Sequence, residues 1–358
     1  MDNFIAFFSM ADPNIRYVVL GSILLMASSA VVGCFTLLRK RALVGDAVAH
    51  SVLPGICLAF ILSGTKDPLM LLVGAFFTGW ISLVVMDFIT QKTKLKEDAA
   101  IGLILSVFFG IGILLLTAIQ QGDYASQTGL DTFLFGKAAS IVADDLLVFG
   151  TAGILIVALV VIFFRELTMI SFDPVYAKAI GVPIRAFELL LTTITVLAVV
   201  VGIQATGVVL MAAMLITPAA AARFWTHKLH VMVILAAALG AFSGVSGAYI
   251  SYIYPGMPTG PWMVMVVSVI ALSSFAFAPG RGIVARMLLH RNNRRRINEE
   301  NILKLFYQLG EADKSFLKPR QFEELLNRRS MDLLHLKSGL RRLKNYGYLT
   351  ASGKQWEL

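Results

Sequence analysis

Apolar runs of about twenty residues, separated by short polar or basic interruptions, set the plan of this chain. The first long run, Tyr17–Leu38, has 22 residues. At 1.5 Å per residue it reaches about 33 Å, enough for a hydrocarbon core of about 30 Å. Later runs fall at 42–63, 69–90, 99–119, 141–164, 187–202, 207–222, 229–254 and 262–278. They predict an all-α polytopic membrane protein of about eight or nine spans, with residues 1–280 as its membrane domain. The run at 207–222 is short and marked by Gly207 and Pro218, so it reads as a ninth span or as a broken, re-entrant piece. Met1–Ala11 (Phe4, Ile5, Phe7, Phe8) is apolar but too short to span, and is expected to be an interfacial helix.

Charge agrees with this plan and adds a second domain. Basic clusters fall at 39–41, 92–96, 165–185, 223–228 and after 281. All lie on alternate loops, which predicts nine spans with the N-terminus outside and the C-terminus cytoplasmic. Hydrophobic residues make up 57% of the chain and charged ones 15%, which excludes an ordinary soluble protein. From Pro279 onward there are 17 Lys+Arg against 8 Asp+Glu, and the rest of the chain holds 14 of each, so the tail carries the whole net charge of +9. No basic segment precedes the first long run, and no leader cleavage is expected. Cys34 and Cys57 lie in apolar runs and read as buried small hydrophobes, with neither disulfide nor zinc spacing.

One run carries candidate chemistry. In Arg41–Gly55, Asp46 and His50 stand four residues apart, which on a helix puts both on one face with Cβ atoms about 5–6 Å apart. An Asp inside a span costs about 2.5–3.5 kcal/mol and normally faces a pathway or a partner. Pro54 has no N–H for the carbonyl of His50. A carboxylate, an imidazole and a freed carbonyl oxygen therefore collect as a candidate cation site. The plainer alternative is an Asp–His hydrogen bond that locks helix packing. With the helix starting near Ala42, Asp46 lies about 6 Å and His50 about 12 Å from the cytoplasmic edge. Pro218 likewise frees the carbonyl of Met214. Pro54, Met211, Met214, Thr217 and Pro218 are candidates for lining a path, although methionine at such spacing is more often core filler. Asp87 and Glu188 read as interface charges. His227 and His230, beside Lys228, do not read as a metal site.

The loop at 172–185 spells a complete miniature helix. Asp173 is an N-cap, Pro174 stands at the first helical position, Gly181 suits a left-handed C-cap, and Pro183 prevents continuation. A passive connection has no need of caps at both ends. A stub of about two turns offers a partner something to push on.

Three segments in order, Arg41–Gly55, Phe172–Pro183 and Gly207–Arg223, resemble the membrane permeases of manganese, zinc or ferrous-iron ABC importers, over about the first 280 residues. The resemblance implies a permease in the bacterial cytoplasmic membrane that carries Mn²⁺, Zn²⁺ or Fe²⁺ and binds no covalent cofactor. It implies a second permease subunit, identical or paralogous, together with ABC ATPase subunits and an extracytoplasmic metal-binding protein. Asp46 and His50 would be path ligands. Phe172, Asp173, Pro174, Ala177 and Gly181 would belong to a helix that docks on the ATPase. The chain has no phosphate-binding loop; Gly136-Lys137-Ala138 lacks the upstream glycine and the following hydroxyl. The resemblance thus implies a permease and not an enzyme, with ATP hydrolysis on another subunit.

Residues 281–296 read as a basic linker lying against anionic headgroups. Residues 297–358 are expected to form a small winged-helix-like cytoplasmic domain. Its helices are expected at Asn298–Leu309, Pro319–Asn327 and Ser330–Asn345, followed by a hairpin turning at Ser352-Gly353. The third helix has an apolar face (Leu333, Leu336, Leu340, Leu343) and a basic one. A regulatory or subunit-contacting role, with lipids as neighbours, is expected ahead of nucleic-acid binding. Two other classes compete: a membrane-anchored winged-helix regulator, and an ion-coupled secondary carrier. The first has no use for nine spans. The second should show internal repeats and further intramembrane charges.

Overall fold

Aspartate followed by proline starts three helices. In the computed structural model, Asp12, Asp67 and Asp173 each cap a helix whose first residue is proline, accepting from the amides of Asn14, Leu69 and Tyr176 at 2.8, 3.1 and 2.9 Å. The carboxylate satisfies an orphan donor, and proline gives up an N–H that would have had no partner. The structure describes residues 6–64, 67–121, 141–254, 256–328, 333–352 and 355–358. Phe4, Ile5, the Gly136–Ala138 stretch, Ser330 and Gly353 lie outside them.

The first unit runs over Met1–Ala276. Its helices are α1 (Pro13–Leu38), α2 (Val44–Ser51), α3 (Leu53–Ser63), α4 (Pro68–Lys92), α5 (Glu97–Gln121) and α6 (Ala143–Ile162). They continue as α7 (Phe164–Phe172), α8 (Pro174–Ala179), α9 (Ile184–Thr206), α10 (Val208–Trp225), α11 (Leu229–Ile253) and α12 (Thr259–Phe277). Among the described residues, eight helical stretches are long and apolar enough to cross a membrane, with α2–α3 counted as one. The run expected as a ninth or broken span is one unbroken helix, α10, with Pro218 inside it. Gly207 alone joins α9 to α10, at φ 86° and ψ 164°, a backbone that suits glycine. The expected span at 141–164 stops at Ile162 because the chain turns at Phe163 into the separate helix α7.

α1 sits at the centre and packs against α6, α9, α10 and α11. Small residues allow this. A Cβ on Gly33 would fall 1.7 Å from the carbonyl oxygen of Leu215 on α10, and one on Gly240 would fall 2.6 Å from that of Met26. Lipid tails supply no hydrophobic drive between helices, so close backbone approach does the packing.

The second unit, Phe277–Leu358, contains α13 (Ile283–Asp313), β1 (Arg320–Gln321), α14 (Phe322–Arg328), α15 (Leu333–Asn345), β2 (Thr350–Ser352) and β3 (Gln355–Glu357). The strands form an antiparallel sheet in the order β1-β3-β2, with Ser352 opposite Gln355 and Arg320 opposite Trp356. Ile302, Leu305, Phe306, Leu325, Leu336, Leu340 and Leu343 form its core.

Four expectations change here. The basic stretch at 281–296 is no separate linker conformation, because from Ile283 it is the first part of α13. Asn298 caps nothing; its Nδ2 donates to the carbonyl of His335 at 2.8 Å. Gly310 does not stop the helix, since a Cβ there would lie 2.5 Å from the ring of Phe316, and its role is to let that ring close over α13. Leu333, placed on the apolar face of the third helix, is half exposed.

Candidate metal site on the second span

The site helix starts from an ion-paired base. Arg39-Lys40-Arg41 follows α1, and Lys40 takes φ 63° to reverse the chain. Arg41 then bridges two neighbours: its Nη1 lies 2.9 Å from Asp87 Oδ1 at the end of α4, and its Nε 2.7 Å from Glu97 Oε1 at the start of α5. Arg39 pairs with Glu188 at the start of α9. The interface charges Asp87 and Glu188 thus find arginine partners, and four helices meet at this paired end.

From that base α2 rises through a slot lined with glycines. Gly45 faces Ala212 and Leu215 of α10, where a Cβ would meet Ala212 Cα at 3.2 Å. Gly79 of α4 admits Val48 and Val52. Gly112 of α5 lies against Leu53, with no room for a methyl. Gly55 and Gly74 touch backbone to backbone; a Cβ on Gly55 would stand 2.1 Å from the oxygen of Gly74. The span breaks at Val52, between α2 and α3, and Pro54 occupies the second position of α3. That break lies where the missing N–H of Pro54 leaves the His50 carbonyl without its helical donor.

Asp46 and His50 emerge on one face of α2, both half-buried. Helix α2 starts at Val44, two residues later than expected from the sequence. Asp46 is therefore about 3 Å and His50 about 9 Å along the axis from the paired end. A carboxylate in the first turn is favoured by the helix dipole, which lowers the cost of holding it there. It makes no hydrogen bond or ion pair among the described residues. His50 Nδ1 is buried and has no hydrogen-bond partner there, while the ring stands edge-on to Phe109 of α5, centroids 5.3 Å apart. The expected alternative, an Asp46–His50 hydrogen bond, is not formed. A buried imidazole nitrogen without a hydrogen-bond partner and an unpaired carboxylate are together candidates for a mixed N/O donor set.

Of the candidates for path lining, Thr217 is half-exposed, and Pro54, Met211, Met214 and Pro218 are buried within the protomer. Met211 fills the space above Gly202 and receives the Thr206 hydroxyl, and Met214 packs with Met26 and Met263. Both methionine side chains belong to the protomer's own core. No cluster of three or more His, Cys, Asp or Glu occurs among the described residues.

At the paired end, α8 is built as its caps require. Gly181 takes φ 86°, and the amide of Val182 returns to the carbonyl of Ala177 at 3.0 Å. Ala177 is fully buried against the membrane unit, whereas Phe172, Val175, Tyr176 and Ile180 are exposed. Of the residues in Phe172–Gly181, Ala177 is the buried one, and Val175, Tyr176 and Ile180 add to the exposed apolar face. Their exposure depends on which side of a two-turn stub faces the body, and that has no signal in so short a stretch.

The fold defines a polytopic membrane protein, with Asp46 and His50 as a candidate donor pair on one span and a capped stub at one end. The chain belongs to the ABC 3 transport family, whose model matches residues 11–278. It is 42% identical over 342 residues to the manganese transport system membrane protein MntC of Bacillus subtilis, covering 94% of this chain and 79% of that protein. It is 43% identical over 277 residues to the zinc transport system membrane protein TroC of Treponema pallidum, covering 77% and 93%. Among solved structures, PsaBC from Streptococcus pneumoniae in complex with Fab matches with a TM-score of 0.68 at 32% identity, over 78% of this chain and 97% of that one.

Proposed function

We propose that the chain is the membrane-spanning permease of an ATP-driven importer for a divalent transition metal, with Asp46 and His50 as ligands on the translocation path. The observation that carries this is the unpaired state of both groups on one face of α2. A carboxylate–imidazole set suits Mn²⁺, Zn²⁺ or Fe²⁺, and by affinity alone holds Zn²⁺ more tightly than Mn²⁺. Relatives named for manganese and for zinc both support a cargo of this class. Two ligands from one helix leave a shell of four to six incomplete. A second permease subunit across an axis would supply the matching set, and the likeness to PsaBC supports a paired arrangement. An extracytoplasmic metal-binding protein would deliver the ion.

In this reading the paired end is cytoplasmic, as are α8 and the C-terminus, and ATP hydrolysis belongs to a separate ATPase on which the exposed apolar face of α8 docks. Movement of α8 would reach α9 directly, since one short turn joins them, and then α2, on which α9 packs. A shift of α2 would move Asp46 and His50 together relative to the matching ligands of a second subunit. We further propose a winged-helix-like module at 297–358, supported by the helix-strand-helix-helix-strand-strand order and its antiparallel hairpin.

The test is metal uptake by proteoliposomes holding the full complex. Asp46→Asn and His50→Ala should each lower uptake by about 10–100-fold while the complex still assembles and hydrolyses ATP. Wild-type uptake by Asp46→Asn would overturn the assignment.

A further inference from the structure

The metal path proposed above does not involve the outer face of α15. Leu336, Leu340 and Leu343 are buried on one side of this helix, which turns Lys337, Arg341 and Lys344 outward on the other at i, i+4 and i+7. Elsewhere in the second unit several cations are neutralised: Arg342 pairs with Glu299, Arg296 with Glu300, and Arg320 with Asp313 and Glu324. The side chains of Lys337, Arg341 and Lys344 make no ion pair or hydrogen bond among the described residues. They form one wall of a cleft of about 820 Å³ whose other wall is the β2–β3 hairpin, with Gln355 and Trp356. One carboxylate, Glu323, shares the lining.

We propose that this face binds the phosphate backbone of double-stranded DNA, with α15 in the major groove and one sugar–phosphate strand in the cleft between helix and hairpin. Three features favour that occupant. The 13 residues of α15 make a rod about 20 Å long and 10–12 Å across, matched to a groove about 12 Å wide. The three cations form a linear array, as the phosphates of one strand do. They also line a recess closed by a hairpin, whereas a membrane surface would be met by cations on a convex face. Sequence alone weighs against nucleic acid, because charges along a helix are usually solvated or paired. In the folded unit these three stand together, with no ion-pair partner among the described residues.

The experiment uses the full-length protein in nanodiscs of zwitterionic lipid and a fluorescein-labelled mixed-sequence duplex of about 20 base pairs, read by anisotropy between about 50 and 200 mM salt. Binding should weaken with salt at a log–log slope near −2.7, from three phosphate contacts at about −0.9 each. The triple variant K337E/R341E/K344E should bind at least about tenfold more weakly and lose most of that slope. K337Q/R341Q/K344Q should fall between the two, which guards against a folding defect of the reversed form. R294E/R295E/R296E, which changes α13 and leaves the cleft intact, should keep the slope. No salt-dependent duplex binding, or equal binding by wild type and the K337E/R341E/K344E variant, overturns the proposal. So does a finding that the three cations confer binding to anionic vesicles or to an acidic peptide and not to the duplex.

Discussion

Arg41 and Asp87 are joined by an ion pair of 2.9 Å that ties the lead-in of the site helix to the far end of α4. The same guanidinium reaches Glu97 at 2.7 Å. Arg41→Ala would leave two partly buried carboxylates facing each other without compensation. Its expected cost is about 1–3 kcal/mol, read as a lower unfolding temperature in detergent. Asp87→Asn, which keeps a hydrogen-bond acceptor for Arg41, should cost less. Equal stability of Arg41→Ala and wild type would show that the pair does not hold this end together.

The contact of Gly55 with Gly74 leaves no space for a methyl on either side. Gly55→Ala and Gly74→Ala should each destabilise by about 3 kcal/mol or more, because backbone must move to admit the added atom. Gly102, on α5, has nothing within 4 Å of its Cβ position. Gly102→Ala should therefore be neutral or stabilising by up to about 1 kcal/mol. Size-exclusion profiles after a heat challenge distinguish the two outcomes.

On α8 the exposed and buried residues should separate docking from folding. Val175→Glu and Tyr176→Glu put charge on the apolar face, and co-purification with the ATPase should weaken by at least about tenfold, or 1.4 kcal/mol. Ala177→Leu should instead disturb the seat of α8 on its own membrane unit and lower thermal stability. If Val175→Glu left ATPase association and metal uptake unchanged, α8 would not be the docking element.

Asp313 gives the second unit a pH dependence. Hydrogen bonds from Arg320 and Lys318 hold its carboxyl below the usual carboxylate value. A depressed folded-state pKa means the contribution is fully present above the ordinary carboxylate range and is lost as pH falls through the depressed value. Hydrogen-exchange protection at the end of α13 should therefore drop below about pH 4. Asp313→Asn should show reduced protection already at neutral pH and little further loss on acidification.

Much of the membrane unit was legible because membrane folding is dictated locally. A run of twenty apolar residues must be a helix in lipid, since each backbone group has to be satisfied within its own segment. The Asp-Pro steps at 12, 67 and 173 start helices by chemistry that sits within three residues. The Asp46–His50 spacing and the lost N–H of Pro54 are likewise local facts, readable without a partner. Helix α13 was misread at both ends for the opposite reason. Whether Asn298 caps and Gly310 stops depended on His335 and Phe316, which come to them only in the folded unit. The two-residue strand β1 had no pattern to find.

By itself, then, the sequence determined the apolar runs, the caps of α8, the basic tail and the four-residue spacing of Asp46 and His50, because helical period and helix-end chemistry act over a few residues. Tertiary structure decided the rest. It set the start of α2 at Val44, drew Met211 and Met214 into the core, and turned Val175 and Tyr176 outward. It also left Asp46 and His50 without a hydrogen bond or ion pair among the described residues. Those outcomes depend on which distant helices meet, and backbone contacts such as Gly55 against Gly74 are settled only when they do.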